Sequence, residues 1–176
     1  MACGLPYCMP FMKDSQNYTE RSMASCMAPL WEKGSYDLRE EIKAMSGAVL
    51  AFEPGTHWMY GYSSELAAGL IEAICDKPAN DVFADILFKP LGMTDTAPHF
   101  FGDIKERMVC LYAEKPDGTF ELTNTDMDLK HEPDPKYRAG NPRLFSTGRD
   151  YSRLMSMLAN GGELDGVLIT MHTATM

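Results

Sequence analysis

Residues 54–97 read PGTHWMYGYSSELAAGLIEAICDKPANDVFADILFKPLGMTDTA. Pro54-Gly55 marks a turn. Ser63 or Ser64 can cap a helix over 64–75, where Leu66, Leu70, Ile71 and Ile74 repeat at helical spacing. Ala67, Ala68 and Gly69 are small, so this helix can approach a neighbour closely. Lys77-Pro78 breaks it. Asn80 is placed to cap a second helix over 81–88, with Val82, Phe83, Ile86 and Leu87 inward, and Lys89-Pro90-Leu91-Gly92 ends that one.

Before this stretch, residues 1–35 are rich in Pro, Gly, Ser and Met and read as loop with one short helix near 18–28. Residues 37–46 read as a helix started by Asp37, with Leu38, Ile42 and Met45 on one face. On the other side, 107–123 reads as a β-hairpin around Pro116-Asp117-Gly118. Residues 124–143 are polar and long for a loop. Thr147-Gly148-Arg149-Asp150 fits a capping box with Asp in place of Glu. The helix it opens runs to about Asn160, with Tyr151, Leu154, Met155 and Leu158 as its apolar face. Gly161-Gly162 stops it, and 164–168 reads as a turn into a short strand.

Composition bounds the partners. The 176 residues are 45% hydrophobic and 23% charged, a globular profile, with formal net charge −9. Such an acidic chain repels phosphate backbones and anionic lipid, which argues against nucleic acid and membrane surfaces. No apolar run approaches the ~20 residues of a membrane span. Fourteen Met read as adaptable core filler. Five scattered Cys, none in C-x-x-C spacing, read as free thiols and lean towards a reducing, cytoplasmic compartment. The first residues lack the features of a signal peptide. No spacing matches a zinc or calcium pattern, so no metal or cofactor is expected, and the acidic stretch holding Asp126, Asp128, His131, Glu132 and Asp134 reads as solvated loop.

Pro54-Gly55-Thr56 with Tyr60 four residues on, then Gly69 inside an apolar helix, then Pro90-Leu91-Gly92-Met93-Thr94-Asp95-Thr96, resembles serine β-lactamases of class C and their relatives, the penicillin-binding proteins, DD-peptidases and esterases. Gly4-Leu5-Pro6-Tyr7 resembles that family's S-G-L-P-Y block, with Cys3 in place of Ser. Residues 144–151, with Asn160-Gly161-Gly162 and Leu164-Asp165-Gly166, resemble its late helix and turn. The resemblance spans nearly the whole chain as one partial domain, 1–176. It implies an α+β fold of which this segment is mainly the helical subdomain with one β-hairpin, the core sheet largely missing.

The resemblance also implies chemistry. In such enzymes a Ser in an S-x-x-K motif attacks a carbonyl and forms an acyl-enzyme, while the Lys and the motif Tyr move protons. Tyr60 takes the place of that general base. A free phenol titrates near about 10, so it needs a close cation to act near neutrality. No Ser here is followed three residues later by Lys, and no K-[ST]-G or H-x-G occurs. In the family those motifs lie upstream of the G-L-P-Y block and downstream of this chain's last residue. The expectation is a chain truncated at both ends and inactive alone.

Tyr62 stands where class C enzymes carry Asn, a substrate-binding position. That change argues against efficient β-lactam hydrolysis and towards an esterase or carboxypeptidase. The expected partner is a small ester, amide or β-lactam. Two other readings stay open: a binding homologue that lost its nucleophile, and an α/β-hydrolase using Ser63, since Gly61-Tyr62-Ser63-Ser64-Glu65 nearly matches G-x-S-x-G.

Overall fold

The computed structural model describes residues 3–34, 36–123 and 144–169. They form two compact units, one within residues 3–82 and one within 83–169. Helix dominates both, and the described strands form two two-stranded hairpins, one more than the sequence predicts.

In the first unit a 3-10 turn (Pro10–Asp14) leads to α1 (Tyr18–Lys33). The Asn17 side chain accepts the Thr19 amide at 3.0 Å and caps α1. At the far end Gly34 adopts φ 80° and its amide donates to the Leu30 carbonyl. The helix runs past its predicted end near residue 28 and through Pro29, although an interior Pro forfeits a backbone bond and costs about 3 kcal/mol. Continuing it seats Leu30 and Trp31 on the core of Leu5, Cys8, Met23, Ala24, Met27, Met45 and Tyr62. Tertiary packing overrides the local break.

α2 (Leu38–Met45) starts in a full capping box. Asp37 Oδ1 accepts the Glu40 amide at 2.8 Å, and Glu40 Oε2 accepts the Asp37 amide at 3.1 Å. Leu38 and Met45 are buried as the periodicity predicts. α3 (Ser63–Cys75) departs from prediction twice. Its cap residue is Tyr62, with no side-chain cap bond, so neither serine caps it. Its inner face is Glu65, Ala68 and Glu72, while Leu70 and Ile74 are 62% and 74% exposed. The small residues explain the rotation: a Cβ on Gly69 would lie 2.0 Å from Ile42 Cδ1, so α2 packs on the small side of α3. The buried carboxylates are partnered. Glu65 accepts the Ser64 hydroxyl at 2.9 Å and Glu72 accepts the Ala79 amide at 3.0 Å. α4 (Ala79–Phe83) therefore begins one residue before Asn80, which is not its cap.

In the second unit the chain enters a π-helical turn (Ala84–Phe88), in which the Lys89 amide donates to the Ala84 carbonyl at 2.9 Å. The extra residue brings Phe88 inward and leaves Ile86 53% exposed, against expectation. Phe88, Leu91, Met93 and Met157 form this unit's core. α5 (Ile104–Arg107) takes the first residue of the predicted hairpin. The ladder that remains is short: β1 (Tyr112–Glu114) pairs antiparallel with β2 (Phe120–Leu122).

α6 (Gly148–Ala159) is capped by Thr147, whose hydroxyl accepts the Asp150 amide at 3.2 Å. The reciprocal half of the predicted box is absent. The Asp150 carboxylate instead accepts the Asp95 amide at 2.7 Å and the Thr96 hydroxyl at 2.9 Å. Arg153 donates to the Leu91 carbonyl and, at 2.8 Å, to Asp165. These bonds turn Asp150 and Met157 inward and leave Tyr151, Met155 and Leu158 exposed, rotating the helix away from its predicted face. Gly161 and Gly162 end it with φ 73° and 102°. A tight turn at Asp165-Gly166, both left-handed, then joins β3 (Glu163–Leu164) to β4 (Val167–Leu168).

Candidate active site

Pro54-Gly55 forms the predicted turn, with the Thr56 amide on the Glu53 carbonyl at 3.1 Å and Gly55 at φ 89°. The Thr56 hydroxyl donates to the same carbonyl at 2.7 Å and lies 2.9 Å from His57 Nδ1. The chain then reaches Gly61, which forms an antiparallel bridge with Pro6. A Cβ on Gly61 would stand 1.9 Å from the Leu5 carbonyl oxygen, so the two backbones meet this closely because residue 61 has no side chain.

Tyr60 sits beside this bridge and is 72% exposed. With Trp58, Met59, Gly61, Ser63, Ser64 and Ala67 it lines an open pocket of about 310 Å³. Trp58 is 78% exposed. The Tyr60 and Tyr7 rings meet in a T-shaped, edge-type contact, with centres 5.8 Å apart and planes at 61°. Tyr62 goes the other way: it is buried, its ring stacks on Tyr7 at 5.2 Å and 30°, and its hydroxyl donates to the Cys8 carbonyl at 3.3 Å and lies 3.6 Å from Cys8 Sγ. Burial holds the Tyr62 phenol far above its ordinary range and pushes the Cys8 thiol up to about 11. Tyr60 is thus open to the pocket while Tyr62 stays protonated beneath it. They part company because Tyr62 already turns into α3 (φ −77°, ψ 22°), which breaks the side-to-side alternation of extended chain.

Ser63 is the first residue of α3, and its hydroxyl lies 2.8 Å from Cys3 Sγ. A nucleophile elbow needs a strand feeding the turn, and the segment before Ser63 forms a single bridge at Gly61. Ser63 therefore sits on no such elbow, against the expectation of an α/β-hydrolase using it. His131, Glu132, Asp134, Asp126 and Asp128 lie outside the described residues. Among the described residues no group of three or more His, Cys, Asp or Glu is arranged to hold a metal ion, and no helix is long and apolar enough to cross a membrane. Neither Tyr7 nor Cys8 carries a local signal of these contacts: Tyr7 stands in the G-L-P-Y block, but nothing local says that it touches residues more than fifty positions away.

A family model described as Beta-lactamase matches residues 4–175. The chain belongs to the β-lactamase family. It is 31% identical over 129 residues to a lovastatin esterase from Penicillium rubens, covering 70% of this chain and 31% of that protein. It also resembles the simvastatin synthase LovD from Aspergillus terreus (a mutant form) with TM-score 0.66 at 16% identity, covering 96% of this chain and 36% of that one. A D-stereospecific amidohydrolase from Streptomyces sp. matches with TM-score 0.61 at 17% identity, covering 99% of this chain and 49% of that one. The chain therefore spans about a third of the curated relatives it matches and less than half of these solved ones. Its α+β, helix-rich architecture is a portion of the serine β-lactamase-like fold.

Proposed function

We propose that this chain supplies the tyrosine side of the active site in a longer serine hydrolase, which opens an ester, amide or β-lactam through an acyl-serine. The observation that carries this reading is Tyr60: at the family's motif position, it lines an open pocket while its neighbour Tyr62 is buried. In the assembled enzyme Tyr60 acts as general base: it takes the proton of the attacking serine and passes it to the departing oxygen or nitrogen, then takes the proton of the deacylating water and returns it to the serine oxygen. A phenol can do this near neutrality only beside a cation. The serine and its lysine come from the rest of the polypeptide, so residues 1–176 act as one partial domain and are inactive alone.

An ester is favoured over a β-lactam. Tyr62 replaces the family Asn at the substrate-binding position, and here its hydroxyl is committed to Cys8 rather than to an acyl amide. The likeness to a lovastatin esterase supports the same choice.

The test is expression of the full reading frame, assayed with p-nitrophenyl esters, a peptide amide and a chromogenic β-lactam. Ester hydrolysis should dominate, a fluorophosphonate should label the S-x-x-K serine, and Tyr60→Phe should lower kcat by about 10²- to 10⁴-fold. Full activity in Tyr60→Phe, or a frame without S-x-x-K, would overturn the proposal.

A further inference from the structure

The bridge that pairs Pro6 with Gly61 runs antiparallel, which sets Tyr7 directly opposite Tyr60. The rings realise that pairing, edge to face at 5.8 Å. Tyr60 is mostly solvent-exposed, so few neighbours restrain its phenol. Tyr7 in turn lies on the face of Tyr62 at 5.2 Å, and Tyr62 is pinned to Cys8 at both carbonyl and sulfur. Two triplets thus face each other. Tyr60-Gly61-Tyr62 supplies a reactive phenol, a bridge and a buried footing; Pro6-Tyr7-Cys8 supplies the matching bridge, a spacer ring and an anchor.

We propose that Tyr7 is a positioning residue: its ring sets the angle at which Tyr60 enters the pocket, and Tyr62 with Cys8 holds that ring in place. This rests on Tyr60 being the general base. The residue at 62 then has a second job. A flat, buried aromatic fills the space beneath Tyr7, which the smaller Asn of class C enzymes does not. A base displaced by about 1 Å loses on the order of 10²-fold in rate, so a ring that fixes one angle has kinetic weight.

The experiment uses the full-length enzyme and a p-nitrophenyl ester. Tyr7→Phe keeps the ring and should retain kcat within about two-fold. Tyr7→Leu removes the ring and should lower kcat by at least about ten-fold with KM nearly unchanged. On the Tyr60→Phe background the same Leu change should cost nothing further, because there is no longer a base to aim. A purely structural role would instead cost the same factor on both backgrounds. If Tyr7→Leu gives no cooperative thermal transition, Tyr7→Met, whose flexible side chain fills an aromatic space, takes its place with the same expectation. Equal losses on both backgrounds, or a kcat unchanged in the ring-less variants while Tyr60→Phe is inactive, overturn the role of Tyr7 and leave the base assignment standing. An active Tyr60→Phe overturns both.

Discussion

At Cys8 and Tyr62 a thiol and a phenol share a buried contact, and both are held protonated. For Cys8, burial pushes the thiol in the folded state up to about 11, above its ordinary value of about 9. The stability linked to it is therefore complete below about pH 9 and is lost as pH rises towards 11. The melting temperature should fall over that window, and Cys8→Ala should flatten the fall. At pH 8 a thiol reagent should modify the exposed Cys75 and Cys110 of the folded protein and leave Cys8 untouched. Rapid modification of Cys8 without unfolding would contradict the burial. Sequence alone could not foresee this pair. Cys and Tyr are both common inside proteins, and fifty-four positions separate them.

Between elements, close approach is managed by glycine in two different ways. Gly61 faces the backbone of Leu5, which cannot move aside, whereas Gly69 faces the tip of the flexible Ile42 side chain. Gly61→Ala should therefore cost about 1–3 kcal/mol in urea unfolding and open the bridge that carries Tyr60. Gly69→Ala should stay within about 1 kcal/mol of the parent, because the helix propensity gained offsets a rotamer change in Ile42. Equal costs would show that the α2–α3 contact is as rigid as the bridge. The helices themselves were legible from capping and periodicity at Asp37–Met45 and Thr147–Ala159. Their rotations were not. Leu70, Ile74 and Tyr151 read as core from spacing, but small residues on α3 and the Asp150 and Arg153 bonds of α6 turned those apolar side chains outward.

On the scale of the molecule, each unit leaves an apolar helix face open: Leu70 and Ile74 on α3 in one, Tyr151 and Leu158 on α6 in the other. Exposed apolar faces of that kind promote association. The 176-residue chain alone should self-associate in light scattering, and Leu70→Glu with Ile74→Lys should reduce it. In the full-length enzyme proposed above, the same pair should lower the melting temperature, because there the face is expected to be covered. A monodisperse parent chain with no response to the substitutions would show that these faces need no cover.

Local patterns carry the family resemblance, the main helices and the 107–123 hairpin, since turn glycines, caps and the spacing from Pro54 to Thr96 act over short range. They also mark Tyr60 as a candidate, through a motif that short-range spacing preserves. Packing is what puts Tyr60 on the pocket and buries Tyr62, sets Tyr7 against both rings, and ties α6 to Asp95 and Thr96 through Asp150. Each of those outcomes depends on groups distant in sequence. Burial and hydrogen-bond satisfaction across such distances follow from how the elements pack, and no local pattern records them.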